Sequence, residues 1–264
     1  MGSRSVPDNV LEYISKREVV SVDDLASDLD VSRLTARNYL SRLVGMELAR
    51  RIGLGLYKVG REEAVGPELN PEVSKLVDVL RERFPMADLV VWSLSMLSDY
   101  AHYAIGRDLM FVEAGRVISG SVRDFLLERG YHAVLNSEKR DYREYALYGE
   151  RLVFVLEREE RYGIEGSTPT LERIWLDLYY LVTRKELSFP AGELGTIFVN
   201  MLRRDGVNFN RLLRYAQRRG LRDELVVFLY RLRESYPGLI PEEALAGRKG
   251  VLEIIEEMVE GGIE

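Results

Sequence analysis

The chain contains no cysteine. That excludes disulfide scaffolds, thiolate zinc sites, iron–sulfur clusters and cysteine nucleophiles. Its two histidines, His102 and His132, are too few for a three-histidine metal site. It has one glutamine, Gln217, and among its 37 basic residues 31 are arginine. Abundant Arg and Glu with few thermolabile side chains is the composition of a thermophilic source. Long apolar runs are missing too. The best stretch, 87–97, is short and broken by serines, far from the roughly 18 residues a membrane helix needs. The first ten residues hold no apolar signal core, so a cytoplasmic location with no membrane contact is expected.

What is there is ordinary for a globular chain. Of 264 residues 46% are hydrophobic and 30% charged, enough for one large domain or two ordinary ones. The net charge of −6 argues against a protein that coats nucleic acid over its whole surface. That average hides an asymmetry. Residues 1–61 carry 10 Lys/Arg against 8 Asp/Glu, and from Val31 to Arg61 seven basic residues face one acidic, Glu47. The remainder carries 27 against 35. A punctuated stretch, Gly66-Pro-Glu-Leu-Asn-Pro71, marks the junction near 62–72, because two close prolines resist a helix.

The expected division is therefore a first domain over 1–62, a linker over 63–75 and a second domain over 76–264. In the first, helices are expected over 7–14, over a segment capped by Ser21 in a capping-box-like Ser21-Val-Asp-Asp24, and over 33–44 capped by Ser32. Ala36, Leu40 and Leu43 recur at helical spacing on the third helix and form its core stripe. Arg33, Thr35, Arg37, Asn38, Tyr39 and Arg42 fall on its other faces. Two short strands, 48–52 and 56–59, around Gly53-Leu-Gly55 make a hairpin. Three helices and a basic hairpin spell a winged helix-turn-helix. Its third helix is slim enough for the major groove, where Arg pairs with guanine and Asn with adenine. Arg50, Arg51 and Lys58 on the wing are placed to meet phosphates.

Beyond the junction, apolar runs at 88–92, 109–113, 131–135 and 151–156 read as strands, with helix-like stretches at 94–105 and 119–130 between the first three. From Pro169 the pattern is helical, with Gly192, Gly206 and Gly220 as stops. The expected fold class is α+β: a winged helix-turn-helix, then a mixed α/β domain with a helical C-terminal half.

Catalytic constellations are missing from this second part. No lysine has an acidic residue two positions before it, as a PD-(D/E)xK nuclease requires, and Glu159-Glu-Arg161 puts an arginine there instead. Gly120-Ser121 and Gly166-Ser167 lack the Asp-x-Asp of a nucleotidyltransferase; Asp28 and Asp30 lie in the helix-turn-helix. There is no phosphate-binding loop, serine elbow or H-E-x-x-H. His102 and His132 read as packing residues. No enzyme activity, catalytic residue, metal site or cofactor is expected. One basic stripe stands out: Arg211, Arg214, Arg218 and Arg222, opposite Leu212, Leu213 and Ala216. It suits an acidic partner, DNA backbone or the chain's own acids.

These features carry a family resemblance. Gly55-Leu-Tyr57 closes the winged helix; Val91-Trp-Ser93, Thr168-Pro-Thr-Leu-Glu-Arg-Ile-Trp-Leu-Asp-Leu178, Glu193-Leu-Gly-Thr-Ile-Phe198 and Asn210-Arg-Leu-Leu-Arg-Tyr-Ala216 follow in order. Over about residues 7–220 the chain resembles the antitoxins of the AbiE (abortive infection) type IV toxin–antitoxin systems. The resemblance implies a winged helix that represses its own operon at inverted repeats in double-stranded DNA. It also implies a C-terminal domain that opposes a nucleotidyltransferase-type toxin without requiring a complex with it. By position, Arg33, Thr35, Arg37, Asn38 and Arg42 would read bases and Arg50, Arg51 and Lys58 would hold the backbone. Residues 235–264, with an amphipathic stretch at 251–258, have no counterpart in that family. The alternatives from other classes are a nuclease-like enzyme targeted by its winged helix and an adaptor whose winged helix binds protein.

Overall fold

The structure is a computed structural model and describes residues 6–53, 55–60, 70–103, 108–136, 151–165, 168–184, 187, 189–236, 239–240 and 245. The expected stretch at 251–258 and the Gly166-Ser167 pair lie outside them. The chain forms two compact units, one of residues 1–64 with 201–264 and the other of residues 65–200. The expected division put everything after 75 in a second domain. Here the last helices group instead with the winged helix.

In the first unit, α1 (Asp8–Ser15), β1 (Val19–Ser21), α2 (Val22–Asp28) and α3 (Arg33–Gly45) lead into the hairpin β2 (Ala49–Gly53) and β3 (Leu56–Val59). The helix starts follow local chemistry. The Ser21 hydroxyl accepts from Asp24 N at 2.8 Å, and Ser32 accepts from Thr35 N at 3.1 Å, each satisfying an otherwise orphaned amide. Asp30 takes the left-handed φ of 49° that the tight turn between α2 and α3 demands. The strands pair antiparallel in the order β1-β3-β2. β1 was not expected; at three residues it is too short to show a period.

Alternation gives this small sheet two faces. Val20, Ala49 and Tyr57 pack with α1, α2 and α3 in one core, with Val10, Ile14, Leu25, Ala36, Leu40 and Leu43. Val19, Arg50, Ile52, Leu56 and Lys58 lie on the opposite face by register. Its three apolar members are buried as well. The chain that covers it comes from far along the sequence. After α7 (Ala191–Arg204), α8 (Phe209–Arg218) packs against β2, and α9 (Arg222–Ser235) packs on α8. The division between the units falls at Asn200, inside α7.

The second unit is built on a four-stranded sheet of β4 (Val90–Ser93), β5 (Met110–Ala114), β6 (His132–Leu135) and β7 (Leu152–Glu157), ordered β4-β5-β7-β6. β5, β7 and β6 run parallel and β4 is an antiparallel edge. All four expected strands are present within two residues of their expected ends. One face packs on α4 (Pro71–Arg83) and α5 (Arg116–Glu128) through Val73, Leu76, Leu80, Val122, Phe125 and Leu126. The alternate side chains Trp92, Phe111 and Phe154 stack on the other face, Trp92 on Phe111 with centroids 4.0 Å apart. The hairpin of β8 (Ile164–Glu165) and β9 (Thr168–Pro169) then leads into α6 (Leu171–Thr183).

Three expectations give way here. The linker placed over 63–75 runs into α4, because Pro71 stands at the first helical position, where its missing N–H costs nothing, and Asn70 caps the amides of Glu72 and Val73. The helix expected over 94–105 is a 3-10 segment, Leu94–Tyr100. Gly192 is no stop; it lies in the first turn of α7. Gly206 and Gly220 do end helices, at φ 73° and 66°. No helix among the described residues is long and apolar enough to cross a membrane.

Candidate nucleic-acid interface

α3 is thirteen residues long and buries three side chains, Ala36, Leu40 and Leu43. At 3.6 residues per turn the direction opposite that stripe belongs to Leu34, Asn38 and Ser41, with Arg37 about 90° to one side. All four are exposed. The other expected α3 residues stand to the sides. Arg33 is held by Asp23 of α2, with Nη2 donating to Oδ2 at 2.8 Å. The Thr35 hydroxyl lies 2.8 Å from that of Ser32 and belongs to the cap. Arg42 is half-buried, its guanidinium 5.9 Å from the centre of the Tyr39 ring. The base-reading group is thereby split: Asn38 faces outward, Arg37 is exposed to one side of it, and Arg33, Thr35 and Arg42 stand at the sides with partners of their own. Sequence reasoning left out Leu34 and Ser41. A helical wheel centred on the buried stripe would have found both.

The two helices that precede α3 are tied to each other by polar contacts. The Tyr13 hydroxyl donates to Asp28 Oδ2 at 2.8 Å and Arg17 reaches the same oxygen at 3.1 Å. Burial, followed by that bond to a carboxylate, pushes the Tyr13 hydroxyl well above its ordinary value.

The wing residues separate as well. Arg51 is exposed, and its Nε donates to Gly53 O at 3.0 Å, across the irregularity between Arg51 and Gly53. Lys58 is only 8% exposed; its ammonium donates to the carbonyl of Arg204 at the end of α7. Arg50 pairs with Lys58 across the sheet and is half-buried beside Gly206. On this face a group expected at phosphates is turned toward the chain's own backbone, because an ammonium lowered onto a buried surface needs an acceptor.

The basic stripe is shorter than expected. Arg211, Arg214 and Arg218 share α8, Arg214 and Arg218 exposed and Arg211 half-buried. Leu212 and Ala216 are buried opposite them. Arg222 lies beyond the Gly220 break, where it opens α9 and its Nη1 donates to Gln217 Oε1 at 2.7 Å.

The second unit places its strongest charges inside. Glu113 on β5, Arg158 after β7 and Arg173 and Asp177 on α6 form a buried quartet. Arg158 Nη1 stands 2.9 Å from Asp177 Oδ1 and 3.5 Å from Glu113 Oε1. Arg173 bonds Glu113 directly and donates to the carbonyls of Glu160 at 3.0 Å and Tyr162 at 2.8 Å. Burial and the Asp177 carboxylate push the Glu113 carboxyl up from its ordinary range, against the pull of the two guanidinium groups. The quartet ties α6 to the sheet. Nearby, at the carboxyl ends of β5 and β7, a cleft of about 560 Å³ is lined mostly by apolar side chains, among them Phe84, Met86, Val117 and Ile118. His102 and His132 are both exposed, and no group of three or more metal-ligating side chains occurs among the described residues.

Residues 35–234 match the family described as a family of unknown function, DUF6577, and residues 7–56 match the DeoR-like helix-turn-helix domain. A search of curated proteins gave no match. The N-terminal match agrees with the caps, the α3 stripe and the hairpin, and the module is that of a DNA-binding transcriptional regulator.

Proposed function

This chain belongs to the DUF6577 family, and we propose that it is a sequence-specific autorepressor that reads double-stranded operator DNA with α3 and serves as the antitoxin of a type IV toxin–antitoxin pair. The observation that carries the DNA reading is the outward stripe of α3. Arg37 and Asn38 both stand exposed, Asn38 opposite the buried stripe and Arg37 to one side of it. In a major groove Arg37 pairs with guanine O6 and N7 and Asn38 with adenine N6 and N7. Arg33, Thr35 and Arg42 flank the stripe and Arg51 meets phosphate at the wing. Lys58 and Arg50 act in this reading as supports of the wing. The exposed Arg214 and Arg218 add a second contact to backbone phosphates.

The antitoxin role is supported by the AbiE-like segments 168–178 and 210–216, which here become β9 with α6, and α8. In this reading the second unit opposes a nucleotidyltransferase-type toxin without catalysis of its own.

A gel shift on the DNA upstream of the chain's own gene tests the DNA half. Arg37→Ala should weaken specific binding by about tenfold, the scale of one bidentate base contact. Specific retardation that survives Arg37→Ala unchanged overturns the assignment of α3. Lack of any salt-dependent affinity points to a protein-binding adaptor, and metal-dependent cleavage or nucleotide transfer by the purified chain points to an enzyme. Co-expression with a nucleotidyltransferase encoded beside it tests the antitoxin half, with restored growth the expected result.

A further inference from the structure

The outward stripe of α3 contains one side chain that has no hydrogen-bonding group. Leu34 is 67% exposed, the most exposed large hydrophobic among the described residues of its unit. A lone surface leucine is ordinary in itself. Its setting is what distinguishes it. Leu34 precedes Arg37 and Asn38 by three and four residues, the spacing that places side chains on one helix face. It lies in the first turn, which the Ser32 cap fixes at the amide and hydroxyl of Thr35. Helical side chains lean toward the N-terminus, so Leu34 projects past that turn, beyond the groups of Arg37 and Asn38.

A major groove offers donors, acceptors and one apolar feature, the C5-methyl of thymine. We propose that Leu34 is a specificity-determining residue that packs on a thymine methyl beside the bases read by Arg37 and Asn38. The inference rests on the DNA reading above and adds the base it selects. Three residues of helix rise about 4.5 Å, close to the spacing of about 3.4 Å between stacked bases. The thymine therefore adjoins the base that Arg37 reads. The same stripe explains why an apolar side chain is left in water in the free protein. Its cover arrives with the duplex, and uncovered it favours thymine over cytosine, which has no methyl at that carbon.

The test begins with the full chain and a pool of random-sequence duplexes, from which wild-type protein selects its own site. Each thymine of the selected duplex is then replaced in turn by deoxyuridine, which deletes the methyl and keeps base pairing. At the thymine next to the Arg37 base, wild type should lose about fourfold in affinity, the value of one buried methyl-sized group. Leu34→Ala should bind the thymine and uracil duplexes alike, at the wild-type uracil level. Leu34→Met should retain the preference. Because Leu34 is exposed and Ala is a good helix former, Leu34→Ala should melt at the wild-type temperature. Equal binding of both duplexes by wild type, or an undiminished methyl preference in Leu34→Ala, overturns the proposal. If no duplex is enriched at all, the DNA reading falls and this one with it. If Arg37→Ala abolishes selection while Leu34→Ala changes nothing, this one alone falls.

Discussion

Arg37 on α3 and Arg173 on α6 stand in helices of thirteen residues each, and the two helices treat their charges in opposite ways. α3 buries a narrow stripe of three side chains, so Arg37 is left in water with a whole face around it. α6 buries ten, and Arg173, 1% exposed, turns its guanidinium to Glu113 and two carbonyls, with Asp177 3.5 Å from its Nε. A guanidinium in water is available to a ligand. One that is enclosed is committed to the fold, since removing its partners would strand buried charge. The quartet sets two carboxylates against two guanidinium groups, so it encloses charge without changing the acidic surplus of the chain after residue 61.

The largest effect expected from this contrast is on stability. Arg173→Ala leaves Glu113 and Asp177 buried without one of their two cations, and should cost about 3–5 kcal/mol in denaturant unfolding. Arg173→Lys should recover only part of this, because an ammonium cannot fork to a carboxylate and two carbonyls at once. A loss as small as that of an exposed pair, under about 1 kcal/mol, would show that the quartet is hydrated and the contrast with α3 unfounded.

A second comparison lies between two glycines of the first unit. Gly206 and Gly220 both end helices at positive φ. A methyl group added at Gly220 meets nothing, whereas at Gly206 it would stand 2.7 Å from Ile52 Cγ2 and 3.0 Å from an Arg50 guanidinium nitrogen. Gly220→Ala should thus cost only the left-handed backbone, about 1 kcal/mol. Gly206→Ala adds an overpacked contact and should cost about 2–3 kcal/mol, seen as a lower melting temperature. Equal losses would mean that the wing is not held as closely as Lys58 and Gly206 place it.

These contrasts also mark what could be read from sequence. Signals within one turn were legible: the Ser21 and Ser32 caps, the Ala36-Leu40-Leu43 stripe, the Gly55 hairpin and the four sheet strands, so the α+β class followed. Pro71 misled because a proline reads as a breaker until its position within the helix is known. Arg222 seemed to continue the α8 stripe because helical spacing runs on through Gly220 on paper. Lys58 had the right charge in the right hairpin, but its acceptor, the carbonyl of Arg204, lies 146 residues away. The Arg173–Glu113 pair spans 60 residues. Local periodicity records which side of a strand a residue takes. It does not record what arrives later to cover that side.

The smallest expected effect concerns two exposed arginines outside both comparisons. Arg214 and Arg218 are exposed on α8, in the unit that also holds α3. If they meet phosphates, each neutralises about one, and the double change Arg214→Ala with Arg218→Ala should lower the slope of log affinity against log salt by roughly 1.8. Sequence preference should be unaffected, because phosphates carry no base information. Arg222 supplies the internal control: it has the same charge four residues on, but it opens α9 beyond the Gly220 break and is half-buried. Arg222→Ala should leave the slope where it was. A slope that falls equally for Arg222→Ala would reflect net charge alone. A slope that does not move for the double variant would confine the DNA contact to α3 and Arg51, and α8 would then serve only to cover the wing.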